Sequence, residues 1–127
     1  MSKVLSGKRI LVVEDSPAIA EVTLDMLDEL GCGVVGPAGI MSTATEMAEQ
    51  EEFDAALVDI NIRGWKAFSV VEILQRRGIP FLLTSGYADW SMPAEFEDAP
   101  RLQKPYDTEK LGAALAPLLD GKTKAER

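Results

Sequence analysis

Apolar and polar positions fall into two patterns that take turns along the chain. Short, nearly continuous apolar runs occur at "ILVV" (10–13), "CGVVG" (32–36), "AALVDI" (55–60) and "PFLLT" (80–84), with a weaker one at 101–103. Runs of this length with little alternation are expected of strands covered on both faces. Between them lie apolar positions at helical spacing: Ile19, Val22, Met26 and Leu30; Ala67, Val70, Val71 and Leu74; Leu111, Ala114, Leu115 and Leu118. Each stripe is expected to face a sheet, and fully burying one of its Leu or Val residues gives roughly 1.5–3 kcal/mol, more than local propensity supplies. Punctuation agrees with this division. Ser16-Pro17 reads as an N-cap and first helical residue, Thr43 with Glu46 as a capping box, and Asp107 as the cap of the last helix. Gly31, Gly78 and Gly121 stand where helices should stop.

Five strands alternating with about five helices predict an α/β fold: a doubly wound parallel sheet with right-handed crossovers and helices on both faces. A single domain over 1–127 is expected, with its core at about 8–120 and a polar tail, "GKTKAER", at 121–127. Pro93 and Pro100 lie between the fourth and fifth strands, so the helix there should be short or irregular and that face mobile.

Composition narrows the function by exclusion. With 21 acidic and 13 basic residues, the formal charge of −8 repels a phosphate backbone, so nucleic acid is not an expected partner. The absence of histidine removes imidazole bases, Ser-His triads and histidine metal ligands at once. A lone cysteine, Cys32, excludes an internal disulfide and a cysteine zinc cluster, which suits a reducing compartment. The start "MSKVLSGKR" has no apolar signal core and no run is long enough to span a membrane, so a cytoplasmic protein without membrane contact is expected.

In a doubly wound sheet ligands gather beyond the carboxyl ends of the strands. There the sequence places Glu14 and Asp15 after the first strand, Asp59 late in the third, Thr84 after the fourth and Lys104-Pro105 after the fifth. Unit charges about 5 Å apart at an effective dielectric of about 20 repel by about 3 kcal/mol, so three clustered carboxylates call for a cation. Oxygen-only ligands favour Mg²⁺ or Mn²⁺ over zinc or copper, and Mg²⁺ keeps coordination positions open for a phosphoryl oxygen. Lys104 and the Thr84 hydroxyl suit other phosphoryl oxygens. Asp15 alone reads as a helix cap, a role Ser16 fills better; Asp59 is harder to explain structurally, because Asp is a poor strand former and its buried charge needs a partner.

The segments "LVVEDSP", "LVDINIRG", "LLTSGYA" and "QKPYD", in this order at fitting strand ends, make residues 8–120 resemble the receiver domain of bacterial two-component response regulators. The resemblance implies a flavodoxin-like sheet of order 2-1-3-4-5 and a phosphoaccepting Asp59. It implies Asp15 as the main Mg²⁺ ligand, Glu14 helping through water, and Asp59 with the backbone carbonyl of Asn61 completing the set. Thr84 matches the switch hydroxyl and Lys104 the phosphoryl-binding lysine, with Pro105 fixing its loop. Arg101 departs from the pattern, standing where many members carry a switch aromatic; Tyr87 is its expected substitute. The implied donor is a histidine kinase or histidine phosphotransferase, and the output a changed surface for a downstream protein. Self-catalysed phosphoryl acceptance and slow autodephosphorylation are the only chemistry expected, not enzymatic turnover. Two other readings are a flavin carrier on the same fold, which the acids of "EDSPAI" disfavour because they repel a phosphate, and a receiver-like interaction domain that never takes phosphate.

Overall fold

The apolar run of the first strand shows how the sheet is covered. In β1 (Arg9–Val13) side chains alternate between faces: Ile10 and Val12 join one buried cluster, Leu11 and Val13 the other. Both faces are covered, so neither set can be polar. β3 (Ala55–Asp59) repeats the division, with Ala55 and Leu57 on the first side and Ala56 and Val58 on the second.

The computed structural model describes residues 4–86, 96 and 98–120. After β1 come α1 (Pro17–Glu29), β2 (Gly33–Ala38), α2 (Met41–Gln50), β3, β4 (Asn61–Ile62), β5 (Trp65–Lys66), α3 (Phe68–Arg77), β6 (Phe81–Ser85), β7 (Arg101–Gln103) and α4 (Thr108–Leu119). The five main strands are parallel in the order β2-β1-β3-β6-β7. Counted among themselves this is 2-1-3-4-5, the expected flavodoxin-like order. Helices α1 and α4 cover the face carrying Ile10 and Val12 through Leu27, Leu30, Leu111 and Leu115. Helices α2 and α3 cover the other through Ala44, Ala48, Val70, Val71 and Leu74. Among the described residues no helix is long and apolar enough to cross a membrane.

Local signals hold at most element ends. Ser16 accepts from the Ile19 amide at 3.3 Å with Pro17 following, and Asp107 accepts from the Lys110 amide at 2.8 Å. Gly78 ends α3 at φ 72°, a left-handed conformation open to glycine at little cost. The capping box at Thr43 and Glu46 does not form. α2 already begins at Met41 behind Ile40, which offers no side-chain cap, and Thr43 lies within the first turn. Thr45 instead bonds back to the Met41 and Ser42 carbonyls.

The stripe assigned to α1 is out of phase. Its buried residues are Ala20, Thr23 and Leu27, followed by Leu30, whereas Ile19 and Val22 are exposed and Met26 is half-buried. Both sets satisfy a 3.6-residue period, so spacing alone cannot choose between them. Contact chooses: Ala20 is small and Thr23 finds a partner, the Tyr106 hydroxyl at 3.0 Å. A feature absent from the expectations is the antiparallel hairpin β4–β5, in which Ile62 pairs with Trp65 and Asn61 with Lys66. Its two turn residues, Arg63 and Gly64, both have positive φ, 52° and 84°, as a tight two-residue hairpin turn requires. Tyr87, Pro93, Gly121 and the 121–127 tail lie outside the described residues, as does most of the segment expected to hold an irregular helix.

Candidate functional site

Strand register assembles the site. Asp59 closes β3 and pairs directly with Thr84 in β6, which in turn pairs with Leu102 in β7. The chain then runs on to Lys104, whose amide donates to the Ser85 carbonyl at 2.8 Å. On the other side of β3, Val58 pairs with Val13, so Glu14 and Asp15 follow β1 beside Asp59. Four of the five main strands thus deliver their functional side chains to one edge, as parallel packing dictates.

Asp15, Asp59, Asn61 and Gly64 line an open cavity of about 440 Å³ at this edge. One oxygen from each of Glu14, Asp15 and Asp59 lies within 4.8 Å of the others, close enough to share an ion. The donors are all oxygens, which fits a hard divalent cation such as Mg²⁺. Asp15 Oδ2 accepts from the Arg63 amide at 2.7 Å, which couples it to the hairpin turn. Asp59 Oδ1 accepts from the Asn61 amide at 3.0 Å, leaving the Asn61 residue on the cavity wall.

Lys104 is the cation of the cluster. Its Nζ lies 2.6 Å from Glu14 Oε1 and 2.9 Å from Asp59 Oδ2, with all three side chains nearly buried. Burial alone would lower the Lys104 pKa, but hydrogen bonds to Asp59 and Glu14, with their charges, outweigh it and hold the ammonium protonated. Glu14 is pushed above the usual carboxylate range by burial, and the Lys104 contact and the Ser16 amide offset this only in part. Three acids against one lysine leave the cluster with an excess of negative charge.

Thr84 is buried beside Asp59 by register, as the sequence places it. Tyr87 lies outside the described residues, and Arg101 opens β7, half-buried. Two contributors went unread in the sequence. The Arg63 amide depends on a hairpin whose signal was the Arg-Gly pair between Ile62 and Trp65. Tyr106, two residues after Lys104, bonds across the fold to Thr23, and burial raises its phenol pKa; only a fold placing α1 beside that loop reveals it.

Comparison with known proteins matches this arrangement to one family. A model of the response regulator receiver domain family fits residues 10–116, which take in all five main strands but for Arg9 at the start of the first. The chain belongs to this family. As a receiver domain of two-component signalling it is similar in structure to SdrG from Sphingomonas melonis Fr1, at 40% identity and a TM-score of 0.79, covering 94% of this chain and 99% of that one. A second solution structure, of SdrG in its BeF3-activated conformation from Pseudomonas melonis Fr1, is 39% identical with a TM-score of 0.75 over the same shares. Among curated proteins the receiver domain is similar to the sensor protein TorS of Escherichia coli K12, 27% identical over 84 residues. That match takes in 66% of this chain and only 9% of the length of TorS.

Proposed function

We propose that this receiver domain accepts a phosphoryl group on Asp59 from a phosphohistidine of a partner protein. The observation that carries the reading is the pairing of Asp59 Oδ2 with the Lys104 ammonium at 2.9 Å on the rim of an open, acid-lined cavity. An Asp59 oxygen attacks phosphorus in line, the P–N bond to the imidazole breaks, and the ring nitrogen leaves with the bonding pair. The product is an acyl phosphate on Asp59. Lys104 neutralises charge on the phosphoryl oxygens, and Thr84, one strand away, hydrogen-bonds the new group. Asp15, Asp59 and the Asn61 carbonyl are the residues that would hold Mg²⁺ or Mn²⁺, which when bound draws charge from the transferred group.

These 127 residues contain no histidine, so the phosphohistidine lies outside them. A histidine kinase or histidine phosphotransferase is the donor class. An apolar hollow of about 260 Å³ beside the site supports docking of a protein donor: Ile19, Val22 and Met26 face Pro105 and Tyr106 across it, with Lys104 at its edge. The similarity to SdrG, which has a BeF3-activated conformation, supports a switch at this site. The output is contact with a downstream protein in the cytoplasm, not turnover of a substrate. The test is to incubate the protein with Mg²⁺ and acetyl phosphate and follow intact mass. A hydroxylamine-labile phosphoryl adduct on the wild type is expected, and its absence refutes the reading.

A further inference from the structure

We infer that two copies of this chain close over each other's Asp59 edge, each inserting Trp65 of its hairpin into the other's apolar hollow; the consequence for phosphoryl acceptance rests on the phosphoacceptor reading of Asp59. Among the described residues the exposed large apolar side chains are Ile19, Val22, Ile40 and Trp65, and all four stand on connections that leave the carboxyl edge of the sheet. Trp65 is the most exposed of them, at 69%. The hairpin that carries it is tied to the site at two points: the Asn61 amide donates to Asp59 Oδ1 at 3.0 Å and the Arg63 amide to Asp15 Oδ2 at 2.7 Å. An aromatic on a tethered hairpin gives up little freedom on contact, which suits it to anchor an interface.

One chain supplies both halves of the match. The hollow of about 260 Å³ lies below the range of small-molecule pockets, about 300–1,000 Å³, and suits a single large side chain. Charge agrees with shape. Arg63 and Lys66 flank Trp65, both exposed and neither ion-paired among the described residues. Helix α1, on the hollow's other side, carries Glu21, Asp25, Asp28 and Glu29, all exposed, and no base. Asp25 lies three residues beyond Val22 and Glu29 three beyond Met26, so both border the apolar row. The hollow opens on the face covered by α1 and α4, whereas the hairpin stands on the face covered by α2 and α3, where Ile62 is buried. A two-fold axis in the plane of the sheet, crossing the strands, sets edge against edge and exchanges the faces, so each hairpin meets the other copy's hollow. Such an interface is isologous and closes at two copies. The acid-lined cavity lies between the two contacts, so a second copy and a phosphohistidine protein exclude each other. Two contacts of this size belong with weak interfaces, with a Kd of about 10–100 μM.

The test is sedimentation equilibrium of the full chain in about 0.15 M salt, where the net negative charge of each copy is screened beyond about 8 Å. Wild type, Trp65→Ala, Val22→Asp and an equal mixture of the two variants are compared up to about 500 μM, a concentration well above the expected Kd. Both replaced side chains are exposed, and circular dichroism checks that the variants stay folded. Wild type is expected to dimerise, and each variant alone to weaken the dimer by about tenfold or more, as loss of an aromatic anchor does. The mixture is expected to associate more tightly than either variant, because one intact hairpin still meets one intact hollow. A monomeric wild type, a Trp65→Ala dimer as tight as wild type, or a mixture no tighter than its components overturns the pairing. In the same samples, with Mg²⁺ and acetyl phosphate, the adduct rate per chain should fall as wild-type concentration rises and stay level for Trp65→Ala; a wild-type rate independent of concentration overturns the occlusion of the site. A wild type that forms no adduct at any concentration refutes the phosphoacceptor reading instead, and sedimentation still decides the dimer.

Discussion

Replacing Lys104 with methionine removes the cation that separates two buried acids, and the cost can be worked from the site. Glu14 and Asp59 then face each other with oxygens within 4.8 Å, a repulsion of about 3.5 kcal/mol at an effective dielectric of about 20. The protein can escape by protonating Glu14, whose burial already raises its pKa. From an ordinary glutamate that proton costs about 3.7 kcal/mol at pH 7, so the two routes set a similar ceiling. Asp59 keeps the Asn61 amide and Glu14 the Ser16 amide, so neither acid is left bare. The expected loss in chelator is about 3 kcal/mol, within the range found when one partner of a buried pair is removed. For a chain of 127 residues that lowers Tm by about 11 °C. Saturating Mg²⁺ should restore most of it, because the ion replaces the missing charge. Urea unfolding and thermal melts of Lys104→Met and wild type, each with EDTA and with Mg²⁺, measure both quantities. Equal stability of the two proteins in EDTA, or a deficit that Mg²⁺ leaves untouched, would refute the electrostatic account of the site.

Other perturbations test separate links. Asp59→Asn should abolish the hydroxylamine-labile adduct while the protein stays folded, read by intact mass beside circular dichroism. Tyr106→Phe leaves the buried Thr23 hydroxyl without its partner and should cost about 1–2 kcal/mol in urea unfolding; adding Thr23→Val should cost less than the sum of the single changes. The same phenol sets an alkaline limit. Its folded pKa is raised above its unfolded value near 10, so its contribution is intact below about pH 10 and falls away as pH climbs beyond it. Unfolding between pH 9 and 11 should show a steeper decline for wild type than for Tyr106→Phe. Gly78→Ala meets no atom within 4 Å yet places a Cβ at φ 72°, and should cost about 1–2 kcal/mol from backbone conformation alone, measured as a shift of the urea midpoint at constant slope.

What could be read from sequence divides along physical lines. The strands were legible because burial on both faces leaves β1 and β3 almost wholly apolar, and Asp59 stood out as a charge in such a run. Asp15, Asp59, Thr84 and Lys104 were legible because each sits at a strand end, where a parallel sheet converges. The phase of α1 was not, since Ile19-Val22-Met26 and Ala20-Thr23-Leu27 fit the same period and only the neighbours of the helix break the tie. The start of α2 was misread because Thr43 and Glu46 have the right chemistry for a box, but the helix begins at Met41, three residues before the start that box implies. The engagement of both Glu14 oxygens was hidden because it depends on Lys104, 90 positions away, meeting Ser16 across one carboxylate.

The direct pairing of Asp59 with Thr84 makes their separation a property of the main chain. Neighbouring strands stand about 4.8 Å apart whatever side chains they carry, so Asp59 and its hydroxyl neighbour stay in step without help from the loops around them. Loops beyond the strand ends are therefore free to diverge, through insertion, deletion or a change of partner, while Asp59 and Thr84 keep their spacing. Contacts at the rim can thus drift quickly around an edge that the backbone ladder holds still.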